Sequence, residues 1–191
     1  MSKLVIIDNY DSFTYNLVHA IEEILGTPVD VVKNDLDHID DLDQYEYFIL
    51  SPGPGLPVDS GKLMEIIERY KSTKKILGVC LGLQAIAESY GCQLKNLSTV
   101  FHGIRDKMIQ TENTSILYEG IEKEFFAGRY HSWVIEKSTL LPEFEITSID
   151  SNEEIMSIQH KTDKIHAVQF HPESIMTDQG KRMLENFISK A

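Results

Sequence analysis

The stretch GVCLGLQ, residues 78–84, follows the apolar pair Ile76-Leu77 and precedes a helix-like run. A cysteine therefore stands between two glycines at a point where a strand would turn sharply into a helix. Gly78-Val79-Cys80-Leu81-Gly82 fits the nucleophile-elbow pattern with cysteine in place of serine. Glycine is about 7% of residues on average, so this spacing arises around either cysteine by chance in about one such chain in a hundred. The positive end of a helix favours a thiolate, and the Leu81 N–H would point at the oxygen of an attacked carbonyl. The turn alone fits a nucleophile and a small buried core residue equally well. Cys92, beyond the helix, reads as such a core residue.

Working outward, residues 3–8, 29–32, 47–50 and 76–79 read as short strands, with an acidic, loop-like interval at 35–43. Apolar residues at 17, 18, 21, 24 and 25 have a helical period, with Gly26 as the stop. Leu63, Ile66, Ile67 and Tyr70 mark a second helix, and residues 81–90 a third, closed by Gly91. This order predicts an α/β fold: an open, mainly parallel, twisted sheet with helices on both faces. Residues 155–158 and 165–168 read as an antiparallel pair joined by 160–164, giving the C-terminal portion a different character. A last helix, capped by Thr177, carries Met183, Leu184, Phe187 and Ile188 on one face. With no repeat, low-complexity stretch or linker, the prediction is one domain over residues 1–191.

Composition narrows the chemistry. The 191 residues are long enough for a substantial core. A net charge of −12 argues against a nucleic-acid surface and gives no reason to expect an anionic membrane. MSKLVIIDN has only a short apolar run and is no signal peptide. The longest apolar stretch, residues 76–87, is interrupted by Gln84 and too short to span a bilayer. Two cysteines separated by a whole helix predict no disulfide, and no CxxC or Cys/His cluster marks a structural metal. The expected compartment is the reducing cytoplasm.

A nucleophilic cysteine needs a base and a group that orients it. Of seven histidines, His19, His38, His160 and His166 read as surface or structural residues. His171 differs. In Phe170-His171-Pro172-Glu173 it ends the strand read over residues 165–170, and positions i and i+2 of an extended chain share a side. Glu173 would hold one imidazole nitrogen while the other faces the thiol, and Pro172 keeps His171 extended. As a lone dyad, HPE equally well simply ends a strand. Ser51-Pro52-Gly53-Pro54-Gly55 also leaves a strand's carboxyl end, where open α/β sheets bind ligands. Its prolines stiffen the loop and its glycines bare the backbone. On its own it reads first as a rigid turn.

Together the four motifs are specific. PGPG, GVCLGLQ, RYHS and HPES, in that order, resemble the class I (triad) glutamine amidotransferases over nearly the whole chain. The opening Asp8-Asn9-Tyr10-Asp11-Ser12-Phe13-Thr14 is similar to that of the small subunits of chorismate-aminating synthases, anthranilate synthase component II and its aminodeoxychorismate relative.

The resemblance implies that Cys80 attacks the side-chain amide of L-glutamine, that His171 moves the protons and that Glu173 orients His171. Leu81 and the loop of Gly53, Pro54 and Gly55 would supply oxyanion donors. Gln84, which shares a helix face with Cys80, would touch glutamine, and the backbone of Ser132 and Trp133 would hold its α-amino and α-carboxylate groups. Leucine is usual where this chain has Trp133, so the pocket is expected to be narrower. Leu83 is a second departure, with no mechanism attached. The loop of residues 9–13 is expected near a docking face, and His102-Gly103 to be structural or interfacial. No cofactor or metal is expected in this chain; Mg²⁺ is expected in the partner, a chorismate-aminating synthase large subunit that uses the ammonia. The PGPG form of the loop favours anthranilate synthesis; the alternatives are aminodeoxychorismate synthesis or one chain serving both. More distant alternatives are a related cysteine hydrolase and a catalytically silent regulatory subunit.

Overall fold

The computed structural model of the chain describes residues 3–191. Met1 and Ser2, which the sequence places at the start of the domain, lie outside the described residues. Strand β1 is Leu4–Asp8, and all five of its residues are buried, as expected of a strand covered on both faces. Helix α1 (Thr14–Leu25) ends at Gly26, which takes a left-handed φ of 68° and donates its N–H to Glu22 O. Strands β2 (Asp30–Lys33), β3 (Tyr47–Leu50) and β4 (Lys75–Val79) follow, with helix α2 (Leu63–Tyr70) between the last two. Helix α3 (Leu81–Ser89) starts directly after Cys80. These elements match the sequence reading to within one or two residues. The acidic interval is not wholly irregular: Ile39–Gln44 forms a 3-10 helix that buries Ile39 and Leu42.

The second half adds strands β5 (Leu94–Asn96), β6 (Ile104–Gln110), β7 (Glu124–Arg129), β8 (Trp133–Ile135) and β9 (Phe144–Asp150). It closes with β10 (Ile155–His160), β11 (Ile165–Val168) and helix α4 (Gly180–Lys190). One nine-stranded sheet runs β2-β1-β3-β4-β11-β10-β9-β6-β7, and β5 pairs with β8 in a separate ribbon. The first five strands of that order are mutually parallel, and from β11 to β7 every pairing is antiparallel. The predicted α/β sheet with an antiparallel C-terminal portion is therefore the observed one.

Alternation along the strands divides the core into two layers. Val5, Ile7, Phe48, Leu50 and Ile76 pack with Leu63, Ile66 and Ile67 of α2 and with Leu83 and Ile86 of α3. Leu4, Ile6, Ile49, Leu77 and Val79 pack with Leu17, Val18 and Ile21 of α1 and with Met183, Leu184 and Phe187 of α4. Each such side chain contributes roughly 1.5–3 kcal/mol on full burial. Because β1, β3, β4 and β11 are adjacent and parallel, the four loops leaving their carboxyl ends emerge side by side. That juxtaposition builds the site.

Two local expectations need correction. Thr177 does not cap the last helix: α4 begins after Gln179, a left-handed residue whose side chain makes no cap. Thr177 Oγ1 instead donates to His171 O at 2.5 Å and accepts the Gly128 N–H at 3.0 Å. The hydroxyl is used to pin the HPE turn to β7, and the α4 start is pressed so closely on that turn that a Cβ on Gly180 would overlap the Pro172 carbonyl. Nor does an extended strand carry His171 to Glu173. Strand β11 stops at Val168; His171 forms an isolated bridge with Gly128, and the chain then turns, with Ser174 N donating to His171 O at 3.1 Å.

The elbow itself is set by close approach. A Cβ on Gly82 would lie 2.5 Å from Leu50 O and 2.9 Å from Leu50 Cβ, so α3 rests directly on the backbone of β3. A methyl group there meets backbone that cannot rotate away. Gly82→Ala is expected to cost at least the ~1–3 kcal/mol typical of overpacking, measured by urea denaturation. Gly26→Ala, in open space but at positive φ, should cost about 1 kcal/mol. Equal midpoints for the two variants would contradict this reading of the elbow.

Candidate active site

Cys80 sits at the apex of the β4–α3 turn with φ 52° and ψ −100°. A β-carbon is disfavoured there, so the surrounding fold must hold the residue in place. Its N–H donates to Val168 O at 2.8 Å, which ties the apex to β11. As the first residue of α3, Leu81 has an N–H with no intrahelical partner. Both cysteines are free and buried. Burial pushes the Cys92 thiol pKa up, in keeping with its reading as an inert core residue.

His171 and Glu173 come together as the sequence predicts, but within a turn. Nδ1 of His171 lies 2.7 Å from Glu173 Oε1, with both side chains almost wholly buried. Nε2 has no hydrogen-bond partner, yet Cys80 is near enough to influence the ring. Burial lowers the His171 pKa, but the Glu173 charge and the Cys80 sulfur outweigh it and raise it to about 10. Such an imidazole readily holds a proton. The ring is also caged by aromatic side chains: Phe13 meets it at 5.2 Å between centroids and Tyr130 at 4.7 Å, and these two lie 4.7 Å apart.

The β1 and β3 loops are locked together. Asn9 Nδ2 donates to Ser51 O at 2.8 Å, the Asn9 N–H to Ser51 Oγ at 2.9 Å, and Asn34 Nδ2 to Asn9 Oδ1 at 3.0 Å. Asp8 accepts from the Tyr10 N–H and from Thr14 Oγ1. Gly53 packs so tightly that an added Cβ would clash with Leu81 and lie 2.7 Å from Asn9 Cβ. The glycine thus allows the PGPG loop to sit against the cysteine elbow.

Between these loops lies a cavity of about 170 Å³, lined by Gly53, Pro54, Gly55, Cys80, Gln84, Tyr130, His131, Ser132 and Trp133. Its volume is smaller than the ~300–1,000 Å³ of drug-sized pockets and suits a small polar molecule. Every candidate substrate-binding residue lines it except Leu81, which is buried beside Cys80. Trp133 forms part of the wall. Leu83 is wholly buried in the core. Among the described residues, no group of three or more His, Cys, Asp or Glu side chains is placed to hold a metal ion. His102 is exposed, 6.2 Å from the Tyr130 ring, and Gly103 takes a φ of 71°. His19 and His38 are exposed, while His160 holds the turn to Asp163 and His166 packs edge-on to Phe187.

No local sequence pattern points to a role for the first three members of RYHS. Arg129 is fully buried, with Asp106 at 2.5 Å and Asp150 at 2.8 Å. Its Nε donates to His131 Nε2 at 3.1 Å. A guanidinium can only donate, so His131 Nε2 is bare and Nδ1–H donates to Trp133 O at 3.0 Å. Burial, and then the Arg129 charge, lower the His131 pKa to about 3. The RYHS signal is present, but the ion pairs with residues 106 and 150 lie more than twenty positions away and leave no local pattern.

This neutral histidine has a consequence for acid stability. Below pH ~6.5 the unfolded state protonates the imidazole, whereas the native state resists until about pH 3. Stability is therefore lost as pH falls through that window, by up to about 1.4 kcal/mol per pH unit for this group. His131→Gln should be less stable than the parent at pH 7, and the gap should narrow by about 1–2 kcal/mol at pH 5. Parallel unfolding free energies at the two pH values would contradict the neutral assignment.

Comparison with known proteins identifies the family. The family described as glutamine amidotransferase class-I matches residues 5–191. The chain is 42% identical to anthranilate synthase component 2 of Lactococcus lactis, covering 98% of this chain and 94% of the relative. It is 41% identical to aminodeoxychorismate/anthranilate synthase component 2 of Bacillus subtilis, covering 97% and 95%. A solved structure from Thermoplasma acidophilum, assigned to GMP synthase, superposes with a TM-score of 0.87 at 26% identity, covering 98% of this chain and 92% of the other. The chain belongs to the class I glutamine amidotransferase family.

Proposed function

We propose that this chain is the glutaminase subunit of a chorismate-aminating synthase, hydrolysing L-glutamine to glutamate and ammonia through Cys80, His171 and Glu173. The observations that support the reading are Cys80 in the wall of the small pocket behind the PGPG loop and, near enough to this sulfur to feel it, the buried His171–Glu173 pair. An amide is a weak electrophile with a poor leaving group, so it requires a strong nucleophile, an acid for the nitrogen and donors for the oxyanion.

Each requirement has a group in this chain. The Cys80 sulfur attacks the glutamine δ-carbon, and the carbonyl electrons move onto oxygen, which faces the Leu81 N–H and the glycine N–H groups of the Gly53-Pro54-Gly55 loop, where Pro54 has no N–H to donate and serves to fix the loop's shape. Protonated His171 gives its proton to the nitrogen, the C–N bond breaks and ammonia leaves, forming a glutamyl thioester. Water then loses a proton to His171 and attacks the thioester carbon; the sulfur departs and glutamate is released. Glu173 holds the imidazole throughout. Gln84 spends both its amide N–H groups on Trp133 O and Gln169 Oε1, so its oxygen is the atom left to meet substrate. The Ser132 and Trp133 backbone holds the amino-acid end.

The acceptor is a separate polypeptide, a chorismate-aminating large subunit that carries Mg²⁺, while this chain needs no cofactor. The relative from Lactococcus lactis is named for anthranilate synthesis, and we take that as the pathway here, in the cytoplasm. The Bacillus subtilis relative is named for both aminodeoxychorismate and anthranilate, which favours a chain shared by both syntheses as the second reading. Among the described residues no helix is long and apolar enough to cross a membrane.

Mixing the chain with a candidate synthase, chorismate, Mg²⁺ and either glutamine or an ammonium salt tests the reading. The synthase alone should use ammonium, and only the mixture should use glutamine. Cys80→Ala should abolish the glutamine reaction and spare the ammonium reaction. In the same assay His171→Ala should lower kcat by 10³-fold or more, and Glu173→Ala by less, since a free imidazole still visits a productive pose (about these orders of magnitude). No gain from glutamine with either class of chorismate-aminating synthase would overturn the proposed role.

A further inference from the structure

Gln169, the first residue after β11, is fully buried beside the nucleophile. Its backbone is fixed by a hydrogen bond from its N–H to Met156 O at 2.8 Å. Its amide Nε2 lies 3.6 Å from Cys80 Sγ, within reach of a donor to sulfur. Its Oε1 accepts from Gln84 Nε2 at 3.3 Å.

The direction of this amide follows from its neighbours. Trp133 O can only accept, and it takes a hydrogen from Gln84 Nε2 at 3.0 Å. The same Gln84 nitrogen therefore presents its other hydrogen to Gln169, which must answer with oxygen. The Gln169 NH₂ group is left facing the sulfur. A reversed Gln169 would set two NH₂ groups against each other in a buried site, where unmatched donors are costly. Trp133 O is itself held by His131, and His131 by Arg129. An unbroken chain of hydrogen bonds thus runs from a buried, ion-paired arginine to the reactive sulfur.

We propose that Gln169 is a further residue of the active site, whose amide N–H holds the Cys80 sulfur in place and stabilises its anionic form. A sulfur that accepts a hydrogen bond gains more from it as a thiolate than as a thiol. This supplements His171, which acts as the proton carrier. The inference rests on Cys80 being the nucleophile, and its test separates the two claims.

The experiment measures the rate at which iodoacetamide alkylates Cys80 as a function of pH, read by mass spectrometry with Cys92 as the internal reference. Gln169→Leu and the near-isosteric Gln169→Met both remove the donor, and circular dichroism establishes which variants are folded. In each folded variant the pH of half-maximal Cys80 alkylation should rise by about one unit, with kcat for glutamine hydrolysis falling and KM changing little. A structural role alone would not move that midpoint. An unchanged midpoint in a folded variant would overturn the role of Gln169. Cys80 labelling no faster than Cys92 in the parent chain would overturn the nucleophile reading instead, and this inference with it.

Discussion

The site depends on the backbone at Cys80 being held at a φ of 52°, where a side chain is unwelcome. Nothing local makes that conformation favourable. It persists because β4 is clamped between β3 and β11, because the Cys80 N–H is fixed to Val168 O, and because α3 packs through Gly82 onto the Leu50 backbone. The result is a thiol lifted to the mouth of the sheet with the start of a helix behind it. Strain here, of order 1–3 kcal/mol, is offset by the two apolar layers that flank these same strands.

The other chemical groups inherit their positions from that arrangement. Four neighbouring parallel strands deliver the Asn9 loop, the PGPG loop, the cysteine elbow and the Gln169–Glu173 segment to one end of the sheet. The antiparallel half of the molecule supplies the back wall. Its β7 strand anchors His171 through Gly128, and the residues after it, 130–133, line the pocket. Buried charge is used sparingly and in matched sets. Arg129 faces two carboxylates and fixes the His131 tautomer, while Glu173 faces the His171 imidazole. Breaking one partner of such a set leaves an uncompensated buried charge and is expected to be far more damaging than losing a surface pair.

Much of this was legible in the sequence because its signals are local. The period of Leu17, Val18 and Ile21 placed α1, the all-apolar run before Cys80 placed β4, and the two glycines at 78 and 82 marked a turn with no room for side chains. The HPE and PGPG stretches stood out for the same reason: each needs particular backbone freedom within a few residues. What escaped was set by distance. Strands β6, β7 and β9 mix buried residues with half-buried or exposed ones without clean alternation, and the Arg129 pairs join residues more than twenty positions apart. Thr177 looked like a cap because the local pattern of a helix start was right; the tertiary need to hold the HPE turn took its hydroxyl instead. Gln169 reads as one more polar residue beside a strand until β4 is laid next to β11.

The central claim is that the sequence places one reactive thiol, Cys80, in a pocket shaped for glutamine. Treating the purified chain, with its synthase bound, with a glutamine analogue bearing an electrophilic carbon at the δ position tests this most directly. The account predicts one equivalent of label, on Cys80 alone, with protection by glutamine and none by an unrelated amino acid of similar charge. Label on Cys92, or labelling of Cys80 that glutamine fails to slow, would contradict it.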